Sequence, residues 1–397
     1  MSAVSRPTAL LINVAHALDH LFLLIFATAV GAIAADFGIE RWEDLMPYGV
    51  GAFFLFGIGS LPAGRLGDLW GRRSMMLVFF FGIGAAALLA ACARTPWQLA
   101  GALTLLGAFA AIYHPVGIPM VVQGAARPGW TIGVNGLAGN LGVAAAAVVT
   151  GMLVQLGGWR SAFIVPALVS IAAGFVFLRV APRETEPPAR RSSKAAVQLS
   201  PAMLARAFVA MTAAAASGSL LFNFTTNGNA QLLAERMDAI VRDPARLGLL
   251  LALIYVVASF AQLVVSKLMD RFSIKRLYLL IVLAQIPVLL AAMQAQGWLL
   301  YGLLLLEMAL IFGAIPFTDA MIVRYVDDRL RSRVAGMRLT VAFGLSSIAV
   351  WLLGPLVKSG GFGFLLALLA GIAACTALAV SWLPSERVVS MPAAQPL

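Results

Sequence analysis

The chain has 397 residues, 61% of them apolar and 11% charged, with a mean hydropathy of +0.93 and a formal net charge of +11. Water-soluble domains are about half apolar and a quarter charged, so that class is excluded. The basic excess would suit a nucleic-acid partner only if it were clustered, and its distribution along the chain argues against one.

A helix crossing a bilayer needs about 20 apolar residues. By that rule twelve spans are predicted, near 9–34, 45–66, 74–93, 97–122, 131–156, 159–180, 202–232, 247–268, 277–296, 298–324, 334–357 and 361–383. With no water to satisfy the backbone, each must be helical. The first apolar run is too long for a cleavable signal peptide and a second span follows it directly, so none is expected. With the N-terminus placed in the cytoplasm, 21 lysines and arginines fall inside and 7 outside. This positive-inside bias predicts a multi-pass plasma (bacterial inner) membrane protein with both termini cytoplasmic, a lipid-bilayer environment and no nucleic-acid partner. Cys92 and Cys375 lie in predicted spans and read as small packing residues.

Polar residues inside spans are costly and are functional candidates by default. Span one contains "NVAHALDHLFLLIF", with His16, Asp19 and His20; the two histidines are one helical turn apart and Asp19 is three residues from His16. Span four contains Tyr113 and His114-Pro115, where proline removes a backbone donor and predicts a kink. Span five carries Asn135 and Asn140, read as helix-packing hydrogen bonds. Span seven contains "SGSLLFNFTTNGN", whose glycines and asparagines, Asn223 and Asn227 among them, predict a broken or bent helix. Span ten contributes Glu307 and Asp319; Asp319 reads either as a second proton site or as a counter-ion for Arg338 in span eleven. Between spans six and seven, "RETEPPARRSSKAAVQLSP" reads as a flexible cytoplasmic linker.

That linker separates two related halves. "GRLGDLWGRRSMML" (64–77) aligns with "SKLMDRFSIKRLYLL" (266–280), with Asp68 on Asp270 and Arg73 on Arg276. The same shift of 202–203 residues brings Gly151 onto Gly354 and "QLGGW" (155–159) onto "KSGGF" (358–362). The organisation expected is an N-terminal six-helix bundle at 1–182, a linker at 183–201, a C-terminal six-helix bundle at 202–384 and a tail at 385–397. Two such halves with a midplane site between them are a transporter plan.

The loop between spans two and three, Gly64, Asp68, Gly71, Arg72 and Arg73, resembles the signature of the major facilitator superfamily, and Asp270-Arg271 with Lys275-Arg276 resembles its degraded second copy. The resemblance implies an all-α integral membrane fold of twelve transmembrane helices in two pseudo-symmetric six-helix bundles. It also implies that spans 1, 4, 7 and 10 line a central cavity. Asp19, His20 and His16, with Asp319 and Glu307, then become proton-coupling candidates; His114, Tyr113, Asn223 and Asn227 become substrate-cavity candidates. Gly64, Asp68, Gly71, Arg72, Arg73, Asp270 and Arg271 become a conformational latch, or else charges that only fix topology. Asp19 is the leading proton acid, with His20 or His16 tuning it.

"AAIYHPVG" (110–117), "GVNGLAGNLGVA" (133–144) and "GGWRSAF" (157–163) resemble the fosmidomycin-resistance branch of that superfamily, whose members are exporters. Exporters in the superfamily often carry a Gly-Pro pair in span five; here span five has no proline, and Gly354-Pro355 lies in span eleven. Direction is therefore open between proton-coupled efflux of a small organic solute and proton-coupled uptake of a small, possibly anionic, metabolite. A divalent-metal transporter and a non-transport sensor are weaker readings. No protease, esterase or nucleotide-binding motif is present, so no enzyme, no metal cofactor and no other cofactor is expected. The energy source is a proton gradient, the partner a small-molecule substrate and the working unit a monomer.

Overall fold

The computed structural model describes residues 4–123, 125, 128–183, 201–269, 271–325 and 328–383, with the side chains at 68, 128–129, 201–204 and 318–338 left outside that description. Among the described residues every regular element is helical. Helix α1 (Arg6–Asp36) starts where Ser5 accepts a hydrogen bond from the Thr8 N–H, with Pro7 in the first turn. Its 31 residues rise about 46 Å, more than the roughly 30 Å hydrocarbon core requires. Two short 3₁₀ turns, Trp42–Asp44 and Met46–Gly49, lead into α2 (Val50–Ile58) and α3 (Ser60–Trp70), which form one bent crossing. Helix α4 (Arg72–Ala91) is the third crossing. Helix α5 (Pro96–Ala110), a π turn (Tyr113–Gly117) and α6 (Ile118–Val122) together make the fourth.

Helix α7 (Pro128–Val180) is 53 residues long, about 80 Å at 1.5 Å per residue, too long for one crossing. It turns at Gly158 (φ 75°, ψ 172°), and α12 (Asp328–Ser381) turns in the same way at Gly361 (φ 69°, ψ 177°). Backbone in that region strains any residue with a Cβ, so both turns need glycine. The two glycines hold the register of the sequence repeat. Between these long elements lie α8 (Pro201–Arg236), α9 (Pro244–Met269), α10 (Ile274–Ala292) and α11 (Gly297–Tyr325). With α7 and α12 each folded in two and α2–α3 counted once, the described helices make the twelve predicted crossings.

The crossings form two pseudo-symmetric six-helix bundles, α1–α7 and α8–α12. In the first, α1 and α4 pack on α7; in the second, α8 and α10 pack on α12 and α11 on α9. The seam between them is made by α7 against α9 and α2 against α12. The outer surface carries large apolar side chains, with Leu156 79%, Trp97 76% and Leu378 70% exposed. In water that surface would be a penalty; in lipid it is the solvent-matched face.

Two corrections concern the repeat and the cysteines. Arg73 donates to the carbonyls of Ala181 (2.9 Å) and Leu178 (2.6 Å) at the end of α7, and Lys275 donates to those of Ser381 (2.7 Å) and Leu383 (2.6 Å) at the end of α12. The structural counterpart of Arg73 is thus Lys275, not Arg276, because each is the second residue of its helix. Both cations cap carbonyls left unpaired at a helix C-terminus. Cys92 and Cys375 are exposed, not packed.

Candidate functional site

The polar centre of the first bundle is built from α1, the π turn and α7. Pro115 has no N–H to offer the preceding turn, and the chain widens there into the π turn that presents Tyr113 and His114. The centroids of the three imidazoles are 5.1 Å apart for His16–His20, 5.1 Å for His16–His114 and 5.7 Å for His20–His114. One ring nitrogen from each lies within 4.8 Å of the other two. Asp19 is fully buried and neither of its oxygens accepts a hydrogen bond; its Oδ2 lies 3.7 Å from His114 Nε2. Sequence spacing paired Asp19 with the histidines of its own helix, and the structure brings it to His114 instead. An isolated buried carboxylate costs several kcal/mol to ionise, so Asp19 carries charge only with a cation beside it.

The supporting residues fix the pocket tightly. His16 Nδ1 is 2.7 Å from the Asn135 carbonyl oxygen. The Asn135 amide donates to Tyr113 Oη (2.6 Å) and to Asn13 Oδ1 (2.8 Å), and Tyr113 Oη donates to the Ile12 carbonyl (3.1 Å). Tyr113 also stacks on His16, centroid to centroid 4.5 Å. Gly139 leaves the space that His16 fills, since a Cβ there would sit 2.6 Å from His16 Nε2; at Gly142 it would sit 2.2 Å from the Ala17 carbonyl oxygen. The Gly-Asn-Leu-Gly segment is therefore a seat for α1. Phe56 and Phe343 close over His114 with centroids at 5.8 and 5.3 Å, the latter reaching across from the second bundle. Sequence reasoning assigned Asn135 to packing and passed over Asn13, although Asn13 stands three residues before His16 on the same helical face.

The other candidates are dispersed. Asn223 is buried and donates to the Ser219 carbonyl (2.9 Å) and to Ser346 Oγ on α12 (2.7 Å); Asn227 donates to the Asn223 carbonyl (2.9 Å). Helix α8 runs without a break through this stretch, contrary to the expected bend. Its polar side chains return to carbonyls four residues back, as in Thr225 to Leu221 (2.8 Å) and Thr226 to Phe222 (2.7 Å). Glu307 is 2% exposed, and neither of its oxygens has a hydrogen-bond partner. Gly64 faces Pro115 of the π turn, and Gly71 (φ 86°) turns the chain into α4. Arg72 reaches the Pro119 carbonyl and Gln123 Oε1, both at 3.3 Å, and Arg271 is exposed. Asp270 and the side chains of Asp68, Asp319 and Arg338 lie outside the described residues, as do most of the linker and the whole tail.

At the end of the bundle away from the chain termini the seam is held by the Lys358–Asp44 ion pair, Trp42 stacked on Phe362 (6.1 Å) and Gln155 donating to Asp243 (3.2 Å). Deeper in the seam Asn140 donates to Gln262. A cavity of about 200 Å³ lies beside this seam, lined in part by Thr28, Gly31, Gly151, Gln231, Arg242 and Gly248. It is separate from the histidine pocket.

Residues 12–235 match the sequence profile of the Major Facilitator Superfamily. The chain belongs to that superfamily. The family match and the solved neighbours are those of membrane transporters and not of enzymes. Its fold superposes on a D-xylose–proton symporter with a TM-score of 0.76 at 13% identity, over 97% of this chain and 99% of the other. It also superposes on a bacterial homologue of the human lysosomal transporter Spinster, in an inward-facing and occupied conformation, with a TM-score of 0.72 at 14% identity, over 96% and 95%. Closer in sequence is a probable actinorhodin transporter of Streptomyces coelicolor, 31% identical over 176 residues, which are 41% of this chain and 30% of the relative. The puromycin resistance protein pur8 of Streptomyces alboniger is 33% identical over 132 residues, 32% of this chain and 26% of the relative. The chain thus spans under a third of the length of these curated relatives.

Proposed function

We propose that this superfamily member is a secondary active exporter of a small organic solute, driven by the proton gradient through alternating access. Glu307 carries the coupling part of this reading. It is buried in the tenth crossing with no donor to either oxygen, so burial opposes its charge and a proton is the simplest counter-charge it can take. Asp319, in the same helix, is the second candidate acid. Asp19 meets the same criterion of burial without donors, but three imidazoles share its pocket.

Export is favoured over uptake by two relatives named for actinorhodin transport and puromycin resistance, and by the likeness of 110–117, 133–144 and 157–163 to fosmidomycin-resistance exporters. The anionic-metabolite reading is weakened because α1 after Arg6, α5, the π turn, α6 and the first arm of α7 carry no lysine or arginine. In our reading the moving units are residues 1–182 and 202–384, joined by 183–201, with 385–397 as a tail. They rock about a seam whose contacts at Lys358–Asp44 and Gln155–Asp243 must part. In the same reading the protein is a bacterial inner-membrane monomer, and the excess of basic residues at one end supports cytoplasmic termini.

The test is a proteoliposome assay with an internal pH dye, run against a panel of aromatic and amine-bearing organic compounds. A compound gradient should drive proton movement in the opposite direction, and Glu307→Gln should reduce that proton flux at least about tenfold, the scale of a lost proton-transfer group. Flux in the same direction as the compound, or flux unchanged in Glu307→Gln, overturns the reading.

A further inference from the structure

The chain contains three histidines in 397 residues, and all three meet in one pocket, with a nitrogen from each within 4.8 Å of the others. The tautomer of one of them follows from its partner. A carbonyl oxygen only accepts, so the 2.7 Å contact from His16 Nδ1 to the Asn135 carbonyl puts the proton on Nδ1 and leaves a lone pair on Nε2. That Nε2 is buried without a hydrogen-bond partner, in a side chain only 5% exposed. Both Asp19 oxygens are equally without a donor. The pocket therefore offers electron pairs from a buried imidazole and a buried carboxylate, and among the described residues no lysine or arginine donates to them.

A histidine whose second nitrogen donates to a backbone carbonyl has the arrangement by which metal-bound imidazoles are oriented. Here the orienting carbonyl is itself held, because the Asn135 side chain ties Tyr113 to Asn13 and Tyr113 covers the His16 ring. Gly139, with no Cβ, lets the His16 ring seat against α7. Three imidazole nitrogens with one carboxylate suit divalent ions of the zinc, cobalt and nickel group; magnesium and calcium prefer all-oxygen shells, and the cysteines that copper(I) would favour are exposed elsewhere. Zinc–nitrogen bonds of about 2.1 Å bring tetrahedral ligands to about 3.4 Å of one another, so nitrogens now within 4.8 Å of one another draw together when the ion binds. We propose that His16, His20 and His114, with Asp19 as counter-charge, form a binding site for a divalent transition-metal ion of the zinc class. The site is independent of the proton coupling assigned to Glu307.

The test uses the full chain purified through a histidine-free tag, with zinc binding followed by calorimetry and cobalt binding by visible absorption. Wild type should take up one ion per chain at micromolar concentration and give the intense cobalt bands of a four-coordinate site. His16→Gln and His114→Gln should each weaken binding at least about tenfold, and Asn135→Ala about tenfold through loss of ring orientation. Glu307→Gln should bind as wild type does. His16→Cys keeps a ligand at that position and should add a thiolate-to-cobalt charge-transfer band, which a misfolded variant would not show. Absence of zinc and cobalt binding in monodisperse wild type overturns the proposal, as does affinity unchanged in both glutamine variants; the pocket is then a proton site only. Metal binding without Glu307-dependent flux would sink the coupling proposal alone, and the converse would sink this one alone.

Discussion

Two polar regions of similar sequence character have opposite fates in this molecule. The α8 stretch from Ser217 to Asn229 is dense in asparagine, serine and threonine, and most of its side chains close hydrogen bonds onto their own helix or onto Ser346 and Thr376 of α12. The pocket of His16, Asp19 and His114 is sparser, yet it keeps His16 Nε2 and both Asp19 oxygens without a partner. Satisfied polar groups in a membrane helix contribute roughly 0.6 to 2 kcal/mol each to packing. Unsatisfied buried lone pairs are a cost, and a cluster of them marks a place where function competes with packing. What separates site from scaffold here is the deficit of donors, not the number of polar residues.

The largest expected effect tests that distinction directly. Asp19→Asn keeps shape and volume but removes the acceptor charge, and zinc affinity should fall about 100-fold, the upper scale for a group that holds or orients a metal. Asn223→Ala removes more polar atoms from α8 and should leave zinc affinity within about twofold of wild type while costing about 1 kcal/mol of stability. Zinc calorimetry and a thermal melt, measured on both variants, decide it. If Asn223→Ala loses zinc binding and Asp19→Asn keeps it, the comparison is inverted and α8 is the site.

Asn135→Ala sharpens the contrast from within the pocket, because Asn135 is a satisfied residue that supports unsatisfied ones. Its loss leaves Tyr113 Oη and Asn13 Oδ1 without the amide, a cost of about 1 to 3 kcal/mol, and the melting temperature should fall accordingly. The His16 ring keeps the carbonyl at that position but loses the tie that holds it. A melt unchanged from wild type would show that the Asn135 amide bonds are replaced by others.

How much of this was legible before the fold was known follows from the same distinction. The twelve crossings, the kink at His114-Pro115 and the two Gly-Gly turns could be read because apolar length, a missing N–H and a repeat register are local properties. Placing all three histidines on two cavity spans was also legible, but the rotation of α1 that delivers Asp19 to His114 is fixed by Gly139 and Gly142 of α7, a tertiary contact. The expected break in α8 failed because composition shows glycine and asparagine without showing where their hydrogen bonds close. Arg276 was aligned in place of Lys275 because the 203-residue shift of the later repeat was applied to a loop and helix start whose own shift is 202.

The smallest effect is expected at an aspartate that is the reverse of Asp19. Asp243 lies at the start of α9, outside the membrane-spanning length and partly exposed; it accepts from the backbone N–H groups of Ala245 (2.8 Å) and Arg246 (3.1 Å) and from Gln155 across the seam (3.2 Å). The Arg246 N–H is the leading cause that holds its carboxyl below the ordinary aspartate value; desolvation opposes it, and the Ala245 N–H and Gln155 add to the lowering. A depressed folded-state value means that the ionised cap stabilises the fold at pH above the ordinary aspartate pKa of about 3.9 and loses that contribution as pH falls through the folded-state value. The melting-temperature gap between wild type and Asp243→Ala should therefore be small, level from pH 7 down to about 5, and narrower below about 4. A gap that stays level at low pH would show that the cap acts through shape and not charge. Asp243 would then no longer be the satisfied counterpart against which the donor deficit at Asp19 is measured.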